Sequence, residues 1–215
     1  MGGQMGLTGR IGATLSELAR RPEVEKVLEI GTYDGEGSTY CLACGLAHGT
    51  GRLRSVEVDG GLYRKARAFY SESGLPVDLE WGLTITPGDY RPFEYFLPAI
   101  GRTAYEADAP GTHRMWYERE LGLALSAERT DVLRQALECD HWYDLVLFDG
   151  GEYSAELEFH LLEPNIRGYA VLDDTNPVRS IKNAANREWL IRSPDWDLVV
   201  DEPEDRCGWC VAKRR

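Results

Sequence analysis

Two short acidic runs carry the most direct chemistry in this chain. Asp149 follows the apolar stretch at 143–148 and precedes Gly150-Gly151-Glu152, while Asp173 and Asp174 follow a second apolar stretch at 169–172. If both stretches are neighbouring parallel strands buried on both faces, three carboxylates converge at their C-terminal ends. Such crowding is relieved only by protons or by a cation, and hard oxygen donors favour Mg²⁺, Mn²⁺ or Ca²⁺. A second reading stays open, in which Asp149 caps the following turn, Asp173 and Asp174 cap the next long helix, and no ion is held. The other chemistry-bearing stretch is Val27-Leu28-Glu29-Ile30-Gly31-Thr32-Tyr33-Asp34-Gly35-Glu36-Gly37-Ser38, an apolar run leading into three glycines. Strand, glycine turn and helix in that order leave unpaired N–H groups and the positive end of a helix dipole facing a pocket, which suits the carboxylate or phosphate of a nucleotide or nucleoside.

The elements that must position these groups follow from periodicity. Apolar Leu7, Ile11, Leu15 and Leu18 predict an amphipathic helix over 7–20, ended by Pro22. Strands are expected at 26–30, 53–58, 77–81, 143–150 and 169–172, with helices over 38–48, 62–73, 130–139 and 153–162 between them. Asn176 followed by Pro177 predicts a capped helix running to about residue 191. Two last strands, 197–201 and 207–213, complete a terminal hairpin. The alternation makes an α/β fold, a Rossmann-like doubly wound sheet of seven mostly parallel strands with a C-terminal antiparallel hairpin. One domain over 1–215 accommodates it, with residues 87–129 as an insertion. That insertion carries Tyr90, Phe93, Tyr95, Phe96, Tyr105, His113, Trp116, Tyr117 and Glu118, and is read either as a lid or contact segment over the site or as an extra packed layer.

An acid about twenty positions beyond the glycines meets a ribose in such folds, which selects Glu57, with Asp59 as the second candidate. The glycine spacing is G-x-x-x-G-x-G, not the G-x-G-x-x-G of dinucleotide-binding sites. A formal net charge of −12 argues against a nucleic-acid partner. The absence of a signal-like N-terminus or a long apolar run predicts a soluble cytoplasmic protein with no membrane partner. Of five cysteines, Cys41/Cys44 and Cys207/Cys210 form C-x-x-C pairs. Four thiolates suit zinc, but neither pair sits on a ligand-rich loop, and free thiols are the expected state.

Flanked by Glu29 and Ser38, the glycine loop resembles motif I of the class I S-adenosylmethionine-dependent methyltransferases. That resemblance implies a cofactor, S-adenosylmethionine, held by Glu29, Gly31, Thr32, Tyr33, Gly35, Gly37, Ser38, Glu57, Asp59 and Asp149, with Gly82 and Leu83 beside the adenine. The catechol-type and macrocin-type O-methyltransferases are the nearest groups. There, acids at the two strand ends hold Mg²⁺, which implies Asp149, Asp173 and Asp174 as ligands for Mg²⁺ or Mn²⁺. Sugar methyltransferases of this type read Asp-Gly-x-His after the fourth strand, whereas Glu152 stands here at the His position. Asp149 and Glu152 are therefore the candidate catalytic residues, with Glu152 as a further ligand or as a base. The runs at 148–153, 172–176 and 181–183, with Asp205-Arg206-x-Gly208-Trp209, resemble bacterial methyltransferase-like proteins that accompany polysaccharide or secondary-metabolite pathways. Lys182 and Asn183 project towards an acceptor in that reading. The implied reaction is O-methylation of a small-molecule or sugar hydroxyl. Separately, the insertion and the exposed edge of the terminal hairpin make a homodimer an expected assembly. Three rivals stay open: an NAD(P)-dependent oxidoreductase, a metal-dependent hydrolase or sugar-modifying enzyme using the aspartates, and a methyltransferase-fold binding protein without turnover.

Overall fold

A computed structural model of the chain describes residues 5–104 and 109–215. Seven strands form one sheet: β1 (Lys26–Ile30), β2 (Arg52–Glu57), β3 (Val77–Trp81), β4 (Tyr143–Phe148), β5 (Ile166–Asp173), β6 (Trp196–Glu202) and β7 (Trp209–Arg214). Their order is β3-β2-β1-β4-β5-β7-β6, with β7 antiparallel to both neighbours and all other pairs parallel. The expected mostly parallel sheet with a terminal hairpin is what forms.

The central strands are apolar on both sides because each side is covered by helices. Along β4, Leu145 and Leu147 enter a core with α1 (Arg10–Ala19) and α2 (Ser38–Leu46). Val146 and Phe148 enter the opposite core with α6 (Val132–Asp140), α7 (Ala155–Leu162) and α8 (Ala184–Arg192). Strand alternation thus assigns successive residues to opposite layers. Helix α3 (Gly60–Tyr70) follows β2 and starts earlier than its apolar pattern predicts, because Asp59 caps it by accepting hydrogen bonds from Gly61 N at 2.7 Å and Leu62 N at 3.0 Å.

The insertion contains two short 3₁₀ turns, Pro87–Asp89 and Phe93–Phe96, then α4 (Leu97–Ile100) and α5 (Ala109–Ser126). Phe93, Phe96 and Ile100 pack with Tyr153 and Ile181 into a third apolar cluster. Tyr153 is its centre, with Phe96 and Tyr117 ring centroids at 5.1 and 5.2 Å in edge-on contact. Much of the aromatic content here therefore makes a packed layer. Tyr105 lies outside the described residues.

The helix expected over 176–191 forms only in its second half. Asn176 closes a turn instead, its Oδ1 accepting from Val178 N at 2.9 Å and its Nδ2 donating to Pro203 O at 2.8 Å. Asn-Pro here supplies turn chemistry, and the true cap position of α8 falls to Asn183. The intervening segment 174–183 doubles back over the ends of β4 and β5. Buried Asn183 fastens it there, donating to Phe148 O at 3.0 Å and Asp173 O at 2.7 Å and accepting from Asn186 Nδ2 at 2.9 Å.

Asn183→Ala removes the donor that both strand-end carbonyls share. The expected cost is about 2–3 kcal/mol of stability, because buried acceptors lose their partner. Urea unfolding followed by circular dichroism measures it, and a midpoint equal to wild type would refute the clamp.

Candidate functional site

A cleft of about 480 Å³ opens along the C-terminal ends of β1, β2 and β4, a volume in the range that holds a nucleoside-sized ligand. One wall is the glycine loop. Gly31 has φ +96°, and a Cβ there would lie 2.3 Å from Asp149 O, so only glycine lets the turn after β1 lie against the end of β4. Thr32, Tyr33, Gly37 and Ser38 continue the wall, and the first-turn N–H groups of α2 have no side-chain cap at Gly37. Gly35 is not part of the lining. Its φ of +86° turns its carbonyl to accept from Tyr70 Oη at 2.6 Å, which fixes the loop from behind.

Glu57 forms the facing wall at the end of β2. Its Oε2 accepts from Tyr33 N at 2.7 Å and its Oε1 from Asp59 N at 2.8 Å, so two backbone amides set the carboxylate plane. Burial raises its pKa, against the pull of those amides. Each oxygen keeps a further lone pair for a hydroxyl. Asp59 is spent on the α3 cap and stands outside the lining. Gly82 and Leu83 do line the cleft, Gly82 because a Cβ there would lie 2.6 Å from Val132 Cγ2.

Glu29 lies beneath the loop, fully buried and outside the lining. It accepts from Ser55 Oγ at 2.6 Å, and that hydroxyl also meets Thr32 Oγ1 at 2.6 Å, so its role is to support the loop. Burial pushes its carboxyl up to about 7, moderated by the neighbouring Ser38 and Ser55 hydroxyls.

Asp149 closes one end of the cleft and meets Asp173 and Asp174 there. One carboxylate oxygen from each lies within 4.8 Å of the others, the only such group of potential metal donors among the described residues. The C-x-x-C thiols form no such group; Cys41 and Cys210 are buried within the cores. The acid cluster is already penetrated by cations. Lys182, brought by the 174–183 segment, places Nζ 3.0 Å from Asp149 Oδ1 and 2.7 Å from Asp174 Oδ2. Arg206 Nη2 lies 3.4 Å from Asp173 Oδ2. Burial together with Asp149 and Asp174 pushes the Asp173 carboxyl up to about 7. Burial also opposes the charge of Lys182, but Asp149, Asp174 and Asp173 outweigh it and hold its pKa well above the ordinary value. A divalent ion on these oxygens would sit against a buried ammonium, so the set as built does not fit one.

Glu152 is turned away from the cleft lining. Its Oε1 accepts from Ser180 Oγ and Ile181 N, both at 3.0 Å, bracing the segment that carries Lys182.

Thr84, next to Gly82 and Leu83, and Tyr90 of the insertion also line the cleft, as does Arg206; Met5, Glu120 and Glu158, to which the sequence assigned no site role, join them. Glu120, from α5 of the insertion, accepts from Glu152 N at 2.8 Å and Tyr153 N at 3.2 Å. Burial and the nearby Glu158 push it up to about 7. Buried Glu158 accepts from Thr84 Oγ1. The available signal was an acid on an apolar helical stripe: Glu158 falls in register with Ala155, Phe159 and Leu162, and Glu120 with Trp116 and Ala124. Three residues around this region, Tyr33, Asp174 and Arg206, are non-glycines with φ of 57°, 57° and 56°, backbone strain of the kind found at ligand sites.

No protein-family model matches the sequence, and no curated protein matches it. Solved structures do share its fold. A cofactor-bound protein from MTB, Rv0187, has 20% identity, covers 99% of this chain and 83% of its own, and superposes with a TM-score of 0.59. An O-methyltransferase from Bacillus cereus in complex with SAH has 17% identity, 97% and 82% coverage, and a TM-score of 0.58. The O-methyltransferase TomG from Streptomyces achromogenes, involved in tomaymycin synthesis and complexed with SAM, has 19% identity, 98% and 82% coverage, and a TM-score of 0.58. At these identities the likeness is one of fold, the Rossmann-like methyltransferase fold.

The Glu29 carboxyl makes a pH prediction. Its folded pKa of about 7 exceeds its ordinary 4.5, so the native state binds the proton more tightly. Its stabilising contribution is full below pH 4.5 and is lost as pH rises through 7, by up to about 3 kcal/mol. Urea unfolding at pH 5 and pH 8 should show that decline, and Glu29→Gln should reduce it while leaving the share of Glu120 and Asp173, whose carboxyls are also raised to about 7; equal declines in both proteins would refute the assignment.

Proposed function

We propose that this chain is an S-adenosylmethionine-dependent methyltransferase acting on a hydroxyl of a small molecule or sugar. The observation that supports it most is the pairing of Glu57, oriented by two backbone amides, with the uncapped start of α2 across one cleft that ends at Asp149. A diol-binding carboxylate, an anion-binding helix start and an acidic end together match the ribose, carboxylate and amino parts of that cofactor. The cofactor supplies an electrophilic methyl group on a sulfonium.

The protein's share of the work is placement. The Gly31 turn and the α2 N-terminus hold the carboxylate end. Glu57 fixes the ribose hydroxyls, and Gly82, Leu83 and Thr84 border the base. Asp149 lies where the cleft meets the acid cluster, and Arg206 borders the lining on the same side as Asp173. Alignment of acceptor oxygen, methyl carbon and departing sulfur supplies most of the acceleration in such a displacement, and no general base on Glu152 is required. The acceptor reading rests on the O-methyltransferases that share the fold. The net charge of −12 supports a partner other than nucleic acid. No helix among the described residues is long and apolar enough to cross a membrane.

Isothermal titration with S-adenosylhomocysteine tests the reading. Wild type should bind it and ignore NADH, and Glu57→Ala should weaken binding about 10- to 100-fold, the loss of charged hydrogen bonds to two hydroxyls. NADH binding without S-adenosylhomocysteine binding would overturn it.

A further inference from the structure

We infer that the Lys182 ammonium is the resident cation of the Asp149–Asp173–Asp174 cluster and that the site works without a divalent metal. The inference rests on the methyltransferase reading for its link to turnover, but its structural basis is independent of it. Lys182 is nearly enclosed, with its side chain 9% exposed, and its Nζ contacts Asp149 and Asp174 at 3.0 and 2.7 Å. It thus joins the two strand ends that a shared metal ion would join. The third acid, Asp173, faces Arg206. Every carboxylate of the cluster has a basic side chain against it, and of the other acids that feel Lys182, Glu152 is committed to Ser180 and Ile181 and Glu158 accepts from Thr84.

The position of Lys182 is built by its backbone. Ile181 N donates to Glu152, Lys182 N to Ser180 Oγ at 3.1 Å, and Asn183 N to Asp174 O at 3.3 Å. Ser180 N donates in turn to Asn176 O at 2.9 Å. Three consecutive amides flanking and including Lys182 are tied down, so the side chain enters the cluster from a segment already ordered for it. A flexible surface lysine drawn to nearby acids would show no such arrangement. Lys182 is thus a positioning residue that holds Asp149 at the end of the cleft. A metal ion can grip two adjacent hydroxyls at once. An ammonium with two of its three N–H directions given to Asp149 and Asp174 cannot, so the inferred acceptor needs only one hydroxyl.

Manganese binding provides the test, read as loss of the free Mn²⁺ electron paramagnetic resonance signal. Wild type should leave the signal intact, whereas Lys182→Met and Lys182→Ala, which expose the three carboxylates, should bind Mn²⁺ at least about tenfold more tightly. Lys182→Arg, which keeps the charge, should behave as wild type. Mn²⁺ uptake by wild type that disappears in Asp174→Asn would overturn the inference. So would wild type and both neutral variants binding equally poorly. Should the neutral variants fail to fold, wild type against Asp174→Asn still decides. S-adenosylhomocysteine is titrated into the same samples with and without chelator: wild-type binding unchanged by the chelator is expected. Failure of that ligand to bind at all would remove the methyltransferase reading while the Mn²⁺ result stands on its own.

Discussion

Placing Phe148 opposite Leu172 in a parallel pair forces acids onto the same edge, because Asp149 follows one and Asp173 and Asp174 the other. Like charges so close repel in a partly dry setting, and the fold has to neutralise them before the sheet can close. Much around the cleft can be understood as that accommodation. The chain turns sharply at Asp174, doubles back through 183, is clamped by Asn183 and braced by Glu152, and returns a lysine to the acids that made the turn necessary. Arg206, held by the turn before β7, completes the compensation from the other side.

Glu57 and Glu29 illustrate how a carboxylate's surroundings separate two uses of one residue type. Both are buried acids on adjacent strands. Glu57 meets backbone amides and faces the cleft, while Glu29 meets a hydroxyl chain and lies under it. The insertion acts likewise at two levels, its aromatics packing around Tyr153 while Tyr90 and Glu120 reach the cavity wall.

The central strands β1, β4 and β5 were legible because both-sided burial writes continuous apolar runs, and β7 shares that pattern, whereas β6 at the sheet edge alternates in burial. The glycine loop was legible because Gly31 has no sterically tolerable substitute against Asp149 O. The 174–183 segment was not: Asn176-Pro177 satisfies the rules for a helix start and for a turn equally, and only the distant Pro203 carbonyl decides between them. Lys182 was therefore read on a helix face, pointing at an acceptor, when its partners are 8 and 33 positions away in the chain. Asp59 was ambiguous for a related reason, since a cap and a ribose ligand call for the same acid at the same strand end. Glu120 and Glu158 carried a signal, an acid within an apolar stripe, that says a residue is buried without saying what it faces.

The place of β7 bears on how the protein is made. It is last among the strands in chain order but lies between β5 and β6 in the sheet. On a ribosome, β6 emerges with no strand to join, since its partner in the sheet is β7. Asp173 likewise sits opposite Trp209, so the acid cluster gains its last neighbour only when that strand arrives. Edge strand, sheet and charge compensation are therefore completed together when β7 is added, and a nascent chain that has not reached β7 has no finished site.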